Sequence, residues 1–175
     1  ENDTLYARTE FKGGKESKDF YNLNLYYTID EDNKSIVGFQ KSEINFKNYL
    51  WYLNENDDKK NRIVFNKKLT DFNVEHISLS HNDQVVQLSG VLRDSTYKDL
   101  RLTFDKVDLN KVTPDLNNLS FGGLVNGVVS FEQKNNVFRP SSHLVIDDLE
   151  INKVLLGKFN FDVEGDQSLR NFKVK

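Results

Sequence analysis

The 175-residue chain contains no cysteine and no methionine, and it has only one alanine and two prolines. The absence of cysteine excludes disulfides, zinc–thiolate sites and cysteine nucleophiles. Alanine and methionine are strong helix formers, so their scarcity argues against a helical protein. Thirteen phenylalanines and seven tyrosines favour strands instead. The composition therefore predicts a mostly β protein, and the length suits one domain with its own core.

An excess of basic charge and long apolar runs are absent as well. The net charge is −3, from 24 basic and 27 acidic residues, so we expect no nucleic-acid partner. No stretch approaches the roughly 18 consecutive apolar residues of a membrane-spanning helix. The first residues, Glu1-Asn2-Asp3, are polar and do not resemble a signal peptide. With no initiator methionine and an alternating pair, Phe172 and Val174, at its end, the chain is expected to be a segment of a longer protein.

Period-two alternation of apolar residues is the main signal in the sequence. It is clearest between Tyr21 and Ile29, where apolar side chains occupy the odd positions, as in a strand with one apolar face. Between Val74 and Ile77 the apolar residues change from even to odd positions, which predicts a bulge. Similar patterns predict further strands near 36–39, 44–46, 50–52, 63–65, 69–74, 77–80, 84–92, 100–107, 119–131, 143–151 and 154–163.

Two local features interrupt this pattern. Within residues 110–116, Thr113 and Pro114 fit the N-cap and first turn of a short helix, and a proline turn is the alternative. Glycines at 122–123 and at Gly127 lie inside an alternating run. Glycine within a strand marks a bend or bulge, or the close approach of a ligand or backbone. We expect a bend here.

The sequence also contains an internal similarity. Residues 102–112 align without gaps with residues 144–154, and five of the eleven pairs are identical. A weaker copy at 63–67 precedes the first by 39 residues. Recurrence at about 40 residues is typical of arrays in which each unit packs on the next. We therefore expect one β domain over 1–175 with repeat-like units around 63–112 and 102–163.

Signals for catalysis or metal binding are weak. The pair Asp30 and Asp32 resembles the start of a calcium loop but lacks the remaining ligands. Asp147 and Asp148 are adjacent on a predicted strand, so they point to opposite faces and do not converge as a glycosidase pair requires. No nucleophile elbow, phosphate loop or dinucleotide motif occurs. The three histidines, His76, His81 and His143, do not have the spacing of metal ligands. We therefore expect no enzymatic activity, no metal and no cofactor.

What remains is one apolar stripe on each long strand. Either a second sheet covers these stripes, as in a β-sandwich, or the sheet curls into a trough with an apolar inner wall. Composition alone favours the sandwich. If the trough forms, we expect it to be lined by Tyr21, Leu23, Leu25, Tyr27, Val86, Leu88, Leu102, Phe104, Phe121, Val125, Val129, Phe131, Leu144, Ile146, Phe159 and Phe161.

The order and spacing of several short motifs suggest a family. The run at 119–127, LSFGGLVNG, is followed by LVIDDLEINKVLLG at 144–157. Earlier stretches fit as well: residues 38–44 leading to Trp51, then 88–90 and 107–114. Together they span about 36–163 and resemble the conserved C-terminal domain of TamB, the translocation and assembly module subunit, in the AsmA-like group of envelope proteins.

The resemblance implies an elongated, curled β-sheet with an apolar inner groove, a β-taco, and so favours the trough. TamB-like proteins are anchored in the inner membrane by an N-terminal helix and cross the periplasm. Their C-terminal domain meets a TamA-like outer-membrane barrel of the Omp85 family. They are implicated in phospholipid transport and in outer-membrane protein assembly, and the resemblance implies no catalytic residues.

Two other functions remain open from the sequence. A docking module would engage an Omp85-type barrel or its substrates by β-augmentation, without carrying lipid. A carbohydrate-binding or glycosidase β domain is disfavoured, because the sequence shows neither converging carboxylates nor paired surface aromatics.

Overall fold

A computed structural model describes residues 3–14, 18–113, 118–135, 137–166 and 172–174. The protein is nearly all β, with 73% of the described residues in strands and 3% in a helix, which confirms the predicted fold class. The described strands form one curled sheet. Every pairing between them is antiparallel, and their bounds are β1 Leu5–Gly13, β2 Asp19–Ile29, β3 Ser35–Phe39, β4 Ser42–Phe46, β5 Tyr49–Leu53, β6 Arg62–Phe65, β7 Asp71–His81, β8 Gln84–Arg93, β9 Tyr97–Asp108, β10 Phe121–Lys134, β11 Val137–Ile151, β12 Val154–Gly165 and β13 Phe172–Val174.

The strands form an antiparallel meander. At two positions in the sheet, two short strands take the place of one long strand. Strands β3 and β4 follow each other along the same side of β2. Strands β5 and β6 do the same along β7. The pair β3–β6 therefore lies beside the pair β4–β5, both between β2 and β7. From β7 onward each strand pairs with the next in sequence.

Residues 54–61 leave the sheet between β5 and β6, and two buried asparagines close this excursion. The side-chain amide of Asn54 donates to the carbonyl of Phe39 at 2.6 Å. The side-chain oxygen of Asn61 accepts from the backbone N–H of Ser78 at 2.8 Å. Asn54 and Asn61 each expose 2% of their surface. Their side chains thus pair backbone groups of β3 and β7 at the break between β5 and β6.

Bulges shift the inward-facing set within several strands. The expected irregularity between Val74 and Ile77 is confirmed by the register of β7 on β8. Lys106 in β9 and Asp148 in β11 both have positive φ, 50° and 53°, and they occupy aligned positions of the internal similarity. The ladder shifts at both places. Gly127 borders a register shift, and a Cβ at its φ of 131° would overlap the backbone of β11, so the structure shows the close approach of a backbone there. The expected bend stays a prediction.

The single described helix, α1, spans Leu109–Val112. Its N-cap is Asp108, whose carboxylate accepts from the backbone N–H of Asn110 at 2.9 Å. Thr113 ends the helix, because its backbone N–H and its hydroxyl both donate to the Leu109 carbonyl. The predicted helix, with Thr113 as its N-cap and Pro114 in its first turn, falls on residues beyond 113 that lie outside the described ranges. No helix in the described part of the chain is long and apolar enough to cross a membrane.

The sheet is a single layer. Its accessible surface is 11517 Å², whereas a compact protein of this mass exposes about 8,800 Å². No second sheet lies on the first within the described residues, so the sandwich alternative is wrong. Lys47, in the turn after β4, donates to the carbonyls of Asn110 and Thr113 at 3.1 Å each. In a flat sheet β4 and β9 would lie about 19 Å apart, so these contacts require the sheet to curl.

Candidate functional site: an apolar trough

The pairing register defines an inner and an outer face of the sheet. Residues directly opposite each other on neighbouring strands project to the same side. Leu102 lies opposite Leu88 on one neighbouring strand and Val129 on the other. On β11 and β12, Leu144 lies opposite Phe161. Followed from β2 to β12, the register places all sixteen predicted lining residues on this one inner face.

Most of these sixteen side chains are half-buried and stay in contact with solvent. Phe159 is 44% exposed and Tyr27 is 37% exposed, whereas only Val125, at 4%, is fully buried. Side chains of a closed core lie below such values, so the inner face is an open surface. We call this surface the apolar trough. That it binds lipid stays a prediction.

Charge is almost absent from the trough. Among the described strand residues, only Asp19 and Lys98 bring a charged side chain to the inner face, and each lies at a strand end. Lys98 donates to the side-chain oxygen of Gln133 at 2.6 Å. The Asp19 carboxylate accepts from the backbone N–H of Lys47 at 3.1 Å. Because both polar groups are paired at the rims, the floor between them offers apolar contacts.

The outer face carries the charges that the trough lacks. Arg62 and Glu75 form two hydrogen bonds of 2.8 and 3.0 Å, and Lys158 pairs with Asp147 at 3.1 Å. Burial raises the pKa of the Tyr26 hydroxyl on the same face, beside Arg62. The hydrogen bond to Glu75 raises the pKa of Arg62. The two faces therefore differ sharply in polarity, as expected for a sheet that keeps one face in water.

The end of the trough beside α1 is packed with aromatic side chains. Trp51 exposes 1% of its surface, and its ring centroid lies 5.3 Å from that of His81. The Nδ1 atom of His81 lies 2.7 Å from the carbonyl oxygen of Leu50, and the Nζ of Lys111 lies 5.1 Å from the Tyr49 ring centroid. This packing gives the trough a solid floor at the α1 end, whereas the apolar inner side chains of β9 to β12 farther from α1 stay half-exposed.

Sequence reasoning missed several inner-face residues. Val107 and Leu149 are buried at 0% and 7% exposure, but each follows a bulge that reverses the alternation. Phe11, on the unpredicted strand β1, stacks on Tyr21 with centroids 4.6 Å apart. Trp51 lay in the predicted strand at 50–52 and in the resemblance, but it was not among the predicted lining residues. The available signal for the two bulges was the internal similarity, because it aligns Lys106 with Asp148.

The titratable side chains form no catalytic arrangement in the described residues. His143 contacts Asp162 on the outer face, and Asp148 lies exposed in its bulge. No group of three or more His, Cys, Asp or Glu residues in the described ranges is arranged to hold a metal ion. The inner face thus offers shape and apolar surface rather than reactive groups.

A small polar cleft lies on the outer face, beneath the excursion at 54–61. Its volume is about 280 Å³, and its walls include Tyr6, Tyr26, Asp58 and Arg62. The Tyr26 ring lies so close to Gly38 that a Cβ there would overlap it. Arg62 is already paired with Glu75, so the cleft offers no free guanidinium. The trough is the larger and chemically more uniform surface.

Comparison with known proteins adds no relative. No family model matches the chain, and neither a curated protein nor a solved structure is similar to it. The resemblance to the TamB C-terminal domain therefore stays a prediction.

Proposed function

We propose that this protein binds phospholipid acyl chains along its apolar trough and is not an enzyme. The observation that carries the proposal is the inner face itself, which is open to solvent and, in the described strands, is charged only at its rims. Exposed apolar surfaces of this extent mark binding sites for other molecules. An acyl chain lying on the inner face would keep its headgroup in water at the open side.

The binding energy would come from methylene burial. Each buried methylene contributes about 0.8 kcal/mol, so half an acyl chain contributes several kcal/mol. The trough floor repeats similar aliphatic and phenyl groups from strand to strand, for example Leu102, Val129 and Leu144. Neighbouring positions therefore have similar energies, which suits movement along the trough better than tight capture at one point.

The cellular setting of the proposal rests on the resemblance to TamB-like proteins. It places the protein in the periplasm, as part of a longer chain anchored in the inner membrane, where it would carry phospholipid between inner and outer membranes and support outer-membrane assembly. An Omp85-family, TamA-like barrel would be its outer-membrane partner. Docking on such a barrel by β-augmentation without lipid is the alternative function. Docking needs an open strand edge but no uncharged inner face, so the trough favours lipid binding.

Two adjacent valines of β10 provide a matched test. Val129 faces the trough opposite Leu102, whereas Val128 faces outward opposite Thr103. The purified chain is incubated with phosphatidylethanolamine vesicles containing a trace of fluorescent phospholipid, and bound lipid is measured by native mass spectrometry and by fluorescence. Val129→Asp is expected to weaken binding about tenfold or more, because a carboxylate must lose water against the acyl chain. Val128→Asp should bind as the wild type does.

Circular dichroism and the urea midpoint of both variants serve as the folding control. If Val129→Asp fails to fold while Val128→Asp folds, the inner face is a closed core and the proposal is wrong. Equal lipid binding by the two variants, or no lipid bound by the wild type, also contradicts it.

A further inference from the structure

One positively charged side chain lies on the inner face at the sheet end opposite α1. Lys98 is the second residue of β9, and α1 directly follows the last residue of that strand. On the inner face Lys98 lies opposite Leu92 on β8 and Gln133 on β10. We propose that Lys98 binds the phosphate group of a phospholipid whose acyl chain lies in the apolar trough. This inference rests on the proposed function and adds to it a position and an orientation for the headgroup.

A buried glutamine holds the Lys98 side chain in place. Gln133 exposes 3% of its surface. Its side-chain amide donates to the carbonyls of Ser95 and Asn135 at 2.8 Å each, which turns its side-chain oxygen towards Lys98. The Nζ atom of Lys98 donates to that oxygen at 2.6 Å. An ammonium group carries three N–H donors, so two of them are left for a ligand.

No carboxylate neutralises the Lys98 ammonium group in the described part of the chain, where its hydrogen-bond partner is the neutral amide of Gln133. The acidic residues beside it on β9 and β10, Asp99 and Glu132, lie opposite each other on the outer face. The inner-face position beyond Gln133 is Phe138 on β11. A positive charge without a counter-ion, next to an apolar surface, suits an anionic group that is attached to an acyl chain.

The spacing along β9 matches the length of an acyl chain. Leu100, Leu102 and Phe104 follow Lys98 along the inner face. At about 3.4 Å per residue, Lys98 and Phe104 are about 20 Å apart along the strand. The hydrocarbon core of a bilayer is about 30 Å thick, so the acyl chains of one leaflet span about 15 Å. A lipid with its phosphate at Lys98 would therefore lay its chain over apolar side chains, with the chain end pointing towards α1.

Two lipids with the same acyl chains separate the headgroup from the trough. Dioleoylphosphatidylglycerol carries the phosphate group, whereas dioleoylglycerol lacks it. The purified chain is titrated with each lipid in a neutral detergent, and bound lipid is measured by native mass spectrometry. The wild type should bind the phospholipid about tenfold more tightly, because only the phosphate forms a charge-assisted hydrogen bond. Inorganic phosphate should not displace the phospholipid, because it makes no contact with the trough.

Substitutions of Lys98 test the assignment. Lys98→Gln removes the charge but keeps a donor for Gln133, so it should bind the two lipids equally. Lys98→Arg keeps the charge and should keep the preference for the phospholipid. The matched control is Lys134→Gln, which makes the same charge change at an exposed outer-face residue of the same sheet end and should also keep the preference. Circular dichroism and the urea midpoint show whether each variant is folded.

Salt provides a readout that needs no variant. Sodium chloride should reduce the preference of the wild type for the phospholipid, because it screens the charge of Lys98. It should leave the binding of dioleoylglycerol nearly unchanged.

The outcomes distinguish this inference from the proposed function. A wild type that binds neither lipid contradicts lipid binding in the trough, and the headgroup site with it. Equal binding of the two lipids by the wild type overturns the headgroup site alone. The site is also overturned if salt leaves the preference unchanged, if folded Lys98→Gln keeps it, if Lys134→Gln loses it as well, or if inorganic phosphate displaces the phospholipid.

Discussion

The two wings of the sheet differ in how they are held together. Between Ser35 and Gln84 four of the strands, β3 to β6, are short, yet this segment contains most of the fully buried side chains, including Trp51, Leu53 and Val74. Between Phe121 and Val163 the strands are long and continuous, and their side chains remain largely half-exposed. The comparison indicates that stability is concentrated in the first wing, whereas the second wing presents the open trough.

The physical reason lies in what covers each wing. Trp51 is almost fully removed from water and lies against the His81 ring, and α1 reaches the same end of the sheet through Lys111, which lies over the Tyr49 ring. Nothing described lies over the inner side of β12, so Phe159 packs mainly against Phe161, at a centroid distance of 6.1 Å. An open wing can change its side chains at a smaller cost in folding free energy.

The largest expected effect is a loss of folding stability when the buried tryptophan at the centre of the first wing is truncated. Trp51→Ala should lower the free energy of unfolding by about 3–5 kcal/mol, as buried tryptophan truncations do. Phe159→Ala should lower it by at most about 1–2 kcal/mol, because the side chain is already in contact with water. Urea unfolding followed by circular dichroism measures both. Equal losses of unfolding free energy would mean that the second wing is also a closed core and that the two wings do not differ in this respect.

Period-two alternation located most of the strands of both wings from sequence, because each strand keeps one face in water. The first strand, Leu5–Gly13, could not be found this way. Its side chains are exposed on both faces, with Leu5 at 67% and Tyr6 at 64%, so the strand is formed by pairing with β2 and not by its own pattern. Sequence reasoning placed a short helix after Thr113 and did not anticipate α1, whose N-cap, Asp108, directly follows the predicted strand at 100–107.

A smaller loss of stability is expected at the neck where Asn54 and Asn61 close the excursion at 54–61 in the first wing. Asn61→Ala leaves the backbone N–H of Ser78 without its 2.8 Å partner, and an unpaired buried donor costs about 1–3 kcal/mol. The control Asn56→Ala changes an exposed asparagine of the same loop and should alter stability by less than about 0.5 kcal/mol. Comparable losses in the two variants would show that the buried neck does not hold the two short strand pairs together.

The trough residues could be predicted because the apolar positions keep their phase over long runs, from Phe104 back to Leu100 and from Phe131 back to Val125. The prediction of lining residues failed beyond each bulge, because the alternation of inner and outer positions reverses there. Lys106 and Asp148 adopt positive φ without being glycine, so composition gives no sign that the next residue turns inward. Whether the trough is open depends on the curl of the whole sheet. The alternation of residues within single strands does not predict that curl.

The smallest expected effect concerns pH. Burial raises the pKa of Tyr26 above its ordinary value of 10.0, so the folded chain retains this proton after the unfolded chain has lost it. This contribution to stability is complete below pH 10 and is lost as pH rises through the folded pKa. Urea midpoints measured on both sides of pH 10 should therefore fall less steeply for Tyr26→Phe than for the wild type. Identical slopes would mean that the ring beside Arg62 is as hydrated as in the unfolded chain.

The excursion at 54–61 has a consequence for chain-closure entropy. Its two ends are fixed side by side by Asn54 and Asn61, and the residues between them add little to the ladder. Doubling the length of a flexible loop adds only about 0.6 kcal/mol to the cost of closing it. The first wing can therefore accept inserted sequence on its outer face at a small cost, without moving any strand that borders the trough.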